Sequence, residues 1–300
     1  MSDVYGRSKG IIGRGAFGVV NKHEHSGSQF AIKSVEGDWS EREQQICEFL
    51  SKHSHKNIVT IVEVHACAGN LVIVMEYVSK TLRDVLNRMN SMNKRLKHIY
   101  CVKILKGLAS GLEFLHSCGL VHRDIKPENV LIQMSSYTTK ICDFGTCKFL
   151  GAVNITYVCT RFYRAPEQIL DCRYGFSADL WAFGCVTCEI ATGRAFFRGE
   201  NNVSQLCAII RKIGMMSRQD LMNMGVKDFT KFEHIPDVKA KAWESLFSVE
   251  YHDRVINTSY GSNFEDFVSR ILIWNPSKRL SAAQCLDHAF LKHFESAVPL

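Results

Sequence analysis

No stretch of about eighteen apolar residues occurs in the chain, so no membrane-spanning helix is expected. Long runs of like charge are also missing, which argues against a nucleic-acid-binding arm. Internal repeats and low-complexity linkers are absent from the sequence. The N-terminus, MSDVYGRSKG, has no apolar signal segment. The 12 cysteines are scattered, mostly in apolar stretches such as those holding Cys101, Cys118, Cys142 and Cys207. That pattern predicts buried free thiols in a reducing, intracellular compartment. The single C-x-x-C, Cys185 and Cys188, has no second pair and no nearby His-x₃-His. It lies in an apolar helical stretch, so helix-core packing is expected there rather than a zinc or redox site.

What is present is ordinary globular composition: 300 residues, 46% apolar and 22% charged. The length exceeds the usual size of one core and predicts two lobes. A net charge of +7 suits acidic or phosphorylated ligands, or is diffuse surface charge. Residues 10–78 read as short β-rich runs with one helix, which starts near Ser40 and ends near Leu50. From Thr81 onward helical periodicity dominates, with long helices at 99–116 and 176–192 and a last one at 282–294. Strands first and helices after predict an α+β chain. The division is a smaller lobe at 1–78, ending in a hinge at Glu76-Tyr77-Val78, and a larger one at 79–300, together one domain. The first eight residues are polar and terminal, and are expected to be dispensable.

Two strings carry the chemistry. They are His122-Arg123-Asp124-Ile125-Lys126-Pro127-Glu128-Asn129 and Asp143-Phe144-Gly145. Together they supply a base (Asp124), a cation (Lys126) and two magnesium ligands (Asn129 and Asp143), a set suited to phosphoryl transfer from ATP. Upstream, Gly13, Gly15 and Gly18 form G-x-G-x-x-G-x-V with Val20. Dinucleotide-binding folds use the same glycines, but there they lead into a helix. Here β-prone flanks favour a strand-turn-strand flap whose glycines let backbone N–H groups approach phosphate. Lys33 would hold the α- and β-phosphates, steadied by a helix carboxylate. Glu41, Glu43 and Glu48 all lie on that helix, and the residues alone leave the choice open. Downstream, Asp179 is expected to brace the catalytic loop and Arg279 to pair with Glu167.

These motifs resemble the eukaryotic protein kinases, from Gly13 to Arg279. Within them the chain is most similar to the glycogen synthase kinase-3 family. The similarity is carried by Tyr157-Val-Cys-Thr-Arg-Phe-Tyr-Arg-Ala-Pro-Glu167, Ala178-Asp-Leu-Trp-Ala-Phe-Gly-Cys185 and Pro236-Asp-Val-Lys-Ala-Lys-Ala-Trp243. An insert at 198–243 follows the pattern of the wider group, which includes the cyclin-dependent and mitogen-activated kinases.

The resemblance implies a Ser/Thr protein kinase that uses ATP and Mg²⁺. Nucleotide contacts would come from Ile12, Gly13, Gly15, Gly18, Val20, Ala31, Lys33, Met75, Glu76, Val78, Leu131 and Asp143. Among the helix carboxylates the resemblance favours Glu43, with Glu48 the fallback. Thr160 would position Asp124 and Lys126 and favour an aliphatic hydroxyl. Arg42, Arg123 and Lys148 would form a pocket for a phosphate already on the substrate, as clustered cations do. Tyr157 would be a regulatory phosphosite, its phosphate received by Arg161 and Arg164.

The implied partners are protein substrates and a scaffold docked on 214–232. The implied setting is a monomer or weak dimer in the cytoplasm, with the nucleus as a second location. Several departures stand out: a three-residue insertion near 51–53, no serine-bearing tail before Gly13, Glu128 in place of glutamine, and Cys147 in place of a small residue. Two other readings remain: a proline-directed kinase without priming, and a scaffold that binds partners without catalysis.

Overall fold

A computed structural model describes residues 5–15, 18–36, 40–67, 70–151, 160–226, 237–247 and 258–292. The architecture is bilobal and α+β. The N-terminal lobe is an antiparallel sheet in the order β1-β2-β3-β5-β4. Its strands are β1 (Ser8–Gly15), β2 (Gly18–His25), β3 (Ser28–Glu36), β4 (Ile61–Cys67) and β5 (Asn70–Glu76), with helix α1 (Ser40–Lys52) after β3.

Strand alternation gives this sheet two apolar faces. Val35, Leu71 and Ile73 point into the main core with Ile46 and Leu50 of α1. Ile32 and Val74 point the other way and form a second cluster with Phe30 and Val72. Tyr5 covers that outer face. It is 5% exposed, and its ring meets Phe30 edge-on at 5.2 Å. Just after it, the Gly6 carbonyl is hydrogen-bonded to His23 Nδ1 at 3.0 Å. Tyr5 is therefore an ordered, packed part of the lobe rather than a loose end, although nothing in this packing ties it to the cleft. An outer sheet face needs an apolar cover, and the terminus supplies it.

The larger lobe is built on two helices, α3 (His98–Ser117) and α5 (Phe176–Thr192), close to the spans expected from periodicity. Helix α2 (Leu82–Ser91) begins at a capping box formed by Thr81 and Asp84. Three findings add to or amend the sequence reading. First, the larger lobe is mainly helical as expected, but it also carries short strands that the sequence reading did not place. Small sheets join β6 (Lys80–Thr81), β8 (Val130–Gln133) and β9 (Thr138–Ile141), and pair β7 (Leu120–Val121) with β10 (Lys148–Phe149). These pairings are too short for a periodicity signal, yet they frame the catalytic loop.

Second, the helix expected over 282–294 breaks at His288, whose backbone is extended. Its ring is hydrogen-bonded to Asp266 at 2.9 Å, and its Nδ1 accepts from the Phe290 N–H. The last of the expected residues lie outside the described ones. Third, among the four named thiols only Cys101 is fully buried; Cys118, Cys142 and Cys207 are half-buried. Cys185 and Cys188 are both buried in the α5 core. Helix α4 (Pro166–Ile169) precedes α5, and between α5 and that last break run α6 (Asn202–Ile213), α7 (Arg218–Met224), α8 (Trp243–Phe247) and α9 (Thr258–Ile271). No helix among the described residues is long and apolar enough to cross a membrane.

Candidate active site

A cleft of about 610 Å³ opens between the sheet and the helical lobe. Every residue expected to touch nucleotide lines it, from Ile12 on β1 to Leu131 on β8 and Asp143 beyond β9. The glycines on its roof differ in kind. Gly18 has φ +128° and a Cβ there would lie 2.2 Å from the Ser34 carbonyl, so the backbone itself demands glycine. A Cβ on Gly15 would meet nothing within 4 Å. Its missing side chain leaves open room beside the cleft.

β3 sets Lys33 opposite Ile73 of β5, with its side chain turned inward. Lys33 Nζ donates to Glu43 Oε1 at 2.6 Å and to Asp143 Oδ1 at 2.8 Å. This settles the choice among the helix carboxylates. Glu48 accepts instead from Gln44 Nε2, and Glu41 is exposed. Burial works against the Lys33 ammonium, but the Asp143 and Glu43 carboxylates overcome it and raise its pKa. Burial pushes the Glu43 pKa up despite the pull of Lys33. At Asp143 the Lys33 charge outweighs burial, and the pKa falls.

The catalytic loop is held in a strained shape. Arg123 has φ +72° and Asp143 has φ +64°, a region costly for side chains of this size. Asp179 of α5 fixes the first of these. Its two carboxylate oxygens accept the backbone N–H of His122 and of Arg123, both at 2.8 Å. Burial opposes its charge, but His116 and these N–H groups hold its pKa below the usual carboxylate range. Glu167 and Arg279 form the expected pair through a two-bond fork of 2.6 and 2.8 Å, both side chains buried.

Asp124 sits within this loop. Its Oδ2 accepts from Lys126 Nζ at 2.6 Å and from Asn129 Nδ2 at 3.1 Å. Its Oδ1 accepts from the Thr160 N–H at 3.0 Å and the Thr160 hydroxyl at 3.2 Å. Lys126 also donates to Thr160 Oγ1 at 2.9 Å. A hydroxyl therefore already rests between the carboxylate and the ammonium.

The oxygen chemistry suits a magnesium ion. Asn129 spends its amide N–H on Asp124, leaving the amide oxygen. Lys33 engages one oxygen of Asp143 and leaves the other. Two hard oxygen donors beside a phosphate site are what Mg²⁺ takes, the remainder coming from water and nucleotide.

A second constellation lies below. Arg123 is 3% exposed, yet its Nε and Nη1 have no hydrogen-bond partner among the described residues. Lys148 on β10 is buried nearby. Burial and the charges of Arg123 and Arg42 push its pKa down. The charges of Arg123 and Arg42 both act on Lys148, which puts both within electrostatic reach of it.

Other expectations fare differently. Tyr157 lies outside the described residues. Arg161 and Arg164, its expected receivers, are turned toward the start of α6. Arg161 donates to the Glu200 carbonyl and Arg164 to Asn202 Oδ1. Cleft residues missed from sequence include Val59, Ile73, Cys142 and Phe144. The last two flank Asp143, and Ile73 stands two places from Met75 on the same strand face, so period and adjacency could have found them.

One comparison with known proteins bears on this geometry. The model of a family described as the protein kinase domain matches residues 7–291.

Proposed function

The chain belongs to the protein kinase domain family, and from that premise we propose that it phosphorylates serine or threonine beside a phosphate already on the substrate. Its general activity is that of a Ser/Thr protein kinase. When bound, Mg²⁺-ATP supplies the transferable phosphoryl group and neutralises the charge that develops on it. Asn129 and Asp143 would hold the metal, and Lys33, steadied by Glu43, would hold the phosphates. Gly15, with no Cβ to crowd the cleft, leaves the flap room for them.

Asp124 is the base in this reading. Four donors aim its carboxylate, and the acceptor hydroxyl would give up its proton there. Lys126 stabilises negative charge at the same point. The Thr160 hydroxyl marks how an aliphatic hydroxyl fits between them. Phosphorylation of Tyr157 stays part of the proposal on the resemblance alone, as does docking of a scaffold on 214–232.

The observation that carries the primed-substrate reading is Arg123. Two of its guanidinium nitrogens are buried without an acceptor among the described residues, and Arg123 and Arg42 both act electrostatically on Lys148. A buried unpaired donor costs about 1–3 kcal/mol, and more when charged, unless something satisfies it. A phosphate brings the oxygens that would do so. The test compares initial rates on one peptide with and without phosphoserine about four residues after the target. The primed peptide should react at least about tenfold better in kcat/KM, and Arg42→Ala should erase most of that margin. Equal rates, or equal losses on both peptides, would make Arg42 structural and leave proline-directed recognition in its place.

A further inference from the structure

Glu128 departs from the resembled family, and the structure shows what it does. Its Oε1 accepts from Arg83 Nε at 2.8 Å. The same guanidinium donates from Nη1 to Glu189 Oε1 at 2.6 Å and from Nη2 to the Tyr163 hydroxyl at 2.8 Å. Tyr163 in turn donates to Glu189 Oε2 at 2.6 Å. Three acceptors from three parts of the chain thus surround one planar cation. Glu189 comes from α5 and is fully buried, while Glu128 is 46% exposed and Arg83 27% exposed.

The place matters as much as the chemistry. Glu128 follows Lys126 by two positions in the catalytic loop. Tyr163 follows Thr160 by three. Lys126 and Thr160 both touch the Asp124 carboxylate. A peptide whose hydroxyl reaches Asp124 must lay its neighbouring residues within a few Cα steps of this network. The network is not sealed from solvent, since the Arg83 side chain is 27% exposed and that of Glu128 46%.

Without the Arg83 side chain, this spot would be an acidic recess with two carboxylates and a phenol oxygen, shaped for a guanidinium. A flat fork with several donors fits such a set, and a point-charge ammonium does not.

We propose that Arg83 is a specificity-determining residue that occupies, from within the chain, an acidic subsite for a substrate arginine. The kinase then gains nothing from arginine beside the phosphoacceptor, and it is free to select substrates by other features. The inference needs kinase activity but not the primed-substrate reading, so its test uses unphosphorylated peptides only.

The experiment takes one serine peptide and replaces each of the three residues on either side of the serine with arginine or alanine in turn. For the wild-type enzyme, the arginine-to-alanine ratio in kcat/KM should stay within about threefold at every position, the subsite being filled. In Arg83→Ala the ratio should rise at least about tenfold at one or two positions, the worth of roughly one charge-assisted hydrogen bond. Adding Glu128→Gln should remove most of that gain. Loss of Arg83 leaves the buried Glu189 unpaired and can prevent folding. In that event Arg83→Lys is read instead. It keeps a charge near Glu189 but cannot span all three acceptors, so a smaller gain is expected.

A wild-type preference for arginine of tenfold or more would overturn the proposal. So would wild-type ratios at all positions in a folded Arg83 variant, or a gain undiminished by Glu128→Gln.

Discussion

Replacing Lys33 with methionine tests the electrostatics at the heart of the cleft. Lys33 is the ammonium that bridges Glu43 and Asp143, at 2.6 and 2.8 Å. Glu43 is almost fully buried, and its second oxygen already lacks a partner among the described residues. Lys33→Met leaves two carboxylates facing each other with no cation between them. Breaking one side of a buried pair costs about 3–5 kcal/mol, so a loss of that order is expected near neutral pH.

The loss should depend on pH, and its sign follows from Glu43. Burial raises its folded pKa above the unfolded value, and removing Lys33 raises it further. The folded mutant then binds a proton that the unfolded chain does not, so stability returns as pH falls through the raised pKa. Urea unfolding of Lys33→Met at about pH 7.5 and about pH 5.5 should show the deficit shrinking on acidification. The double variant Lys33→Met/Glu43→Gln removes the orphaned charge. It should recover most of the stability at neutral pH and none of the turnover. A Lys33→Met protein as stable as wild type at neutral pH, or a deficit that ignores pH, would refute this reading of the trio.

Three further outcomes are expected. Asp143→Ala should lower turnover by about 10²–10⁵ while the protein still melts cooperatively, because Lys33 keeps Glu43 as its partner; near-normal kcat would show the residue misassigned. Asp179→Asn keeps one acceptor oxygen where two backbone N–H groups need one each, so it should cost about 1–3 kcal/mol in chemical denaturation and lower kcat more than it raises KM. The wild-type contribution of Asp179 is present above its unfolded pKa and is lost as pH falls through its lowered folded value, and the asparagine variant should lack that acid-sensitive step. Tyr5→Ala uncovers Ile32 and Val74 and should cost about 1.5–3 kcal/mol in urea unfolding, with turnover unchanged where the protein remains folded.

Residues close together in sequence were the ones read best. His122 to Asn129 and Asp143 to Gly145 each bring their chemistry on one short segment, so spacing alone exposes them. Lys33 and its helix partner were harder. Glu41, Glu43 and Glu48 share one helix, and only the packing of α1 on the sheet turns Glu43 toward the lysine. Arg83 was invisible in sequence, since its partners lie 45, 80 and 106 positions away. The packing of Tyr5 was not foreseen, because a polar terminus looks loose until the bare outer face of β3 and β5 is seen. Strands β6 to β10 escaped because runs of two to four residues carry too little pattern.

The central claim is that Asp124 and its four donors present an aliphatic hydroxyl to the phosphate of ATP. It is tested by transfer of labelled γ-phosphate from Mg²⁺-ATP to three peptides identical except for serine, threonine or tyrosine at the target. The account predicts label on the serine and threonine peptides, little on tyrosine, and a loss of about 10²–10⁴ on serine when Asp124 is changed to asparagine. No transfer by folded wild-type protein to either aliphatic hydroxyl, or transfer undiminished in Asp124→Asn, would contradict it.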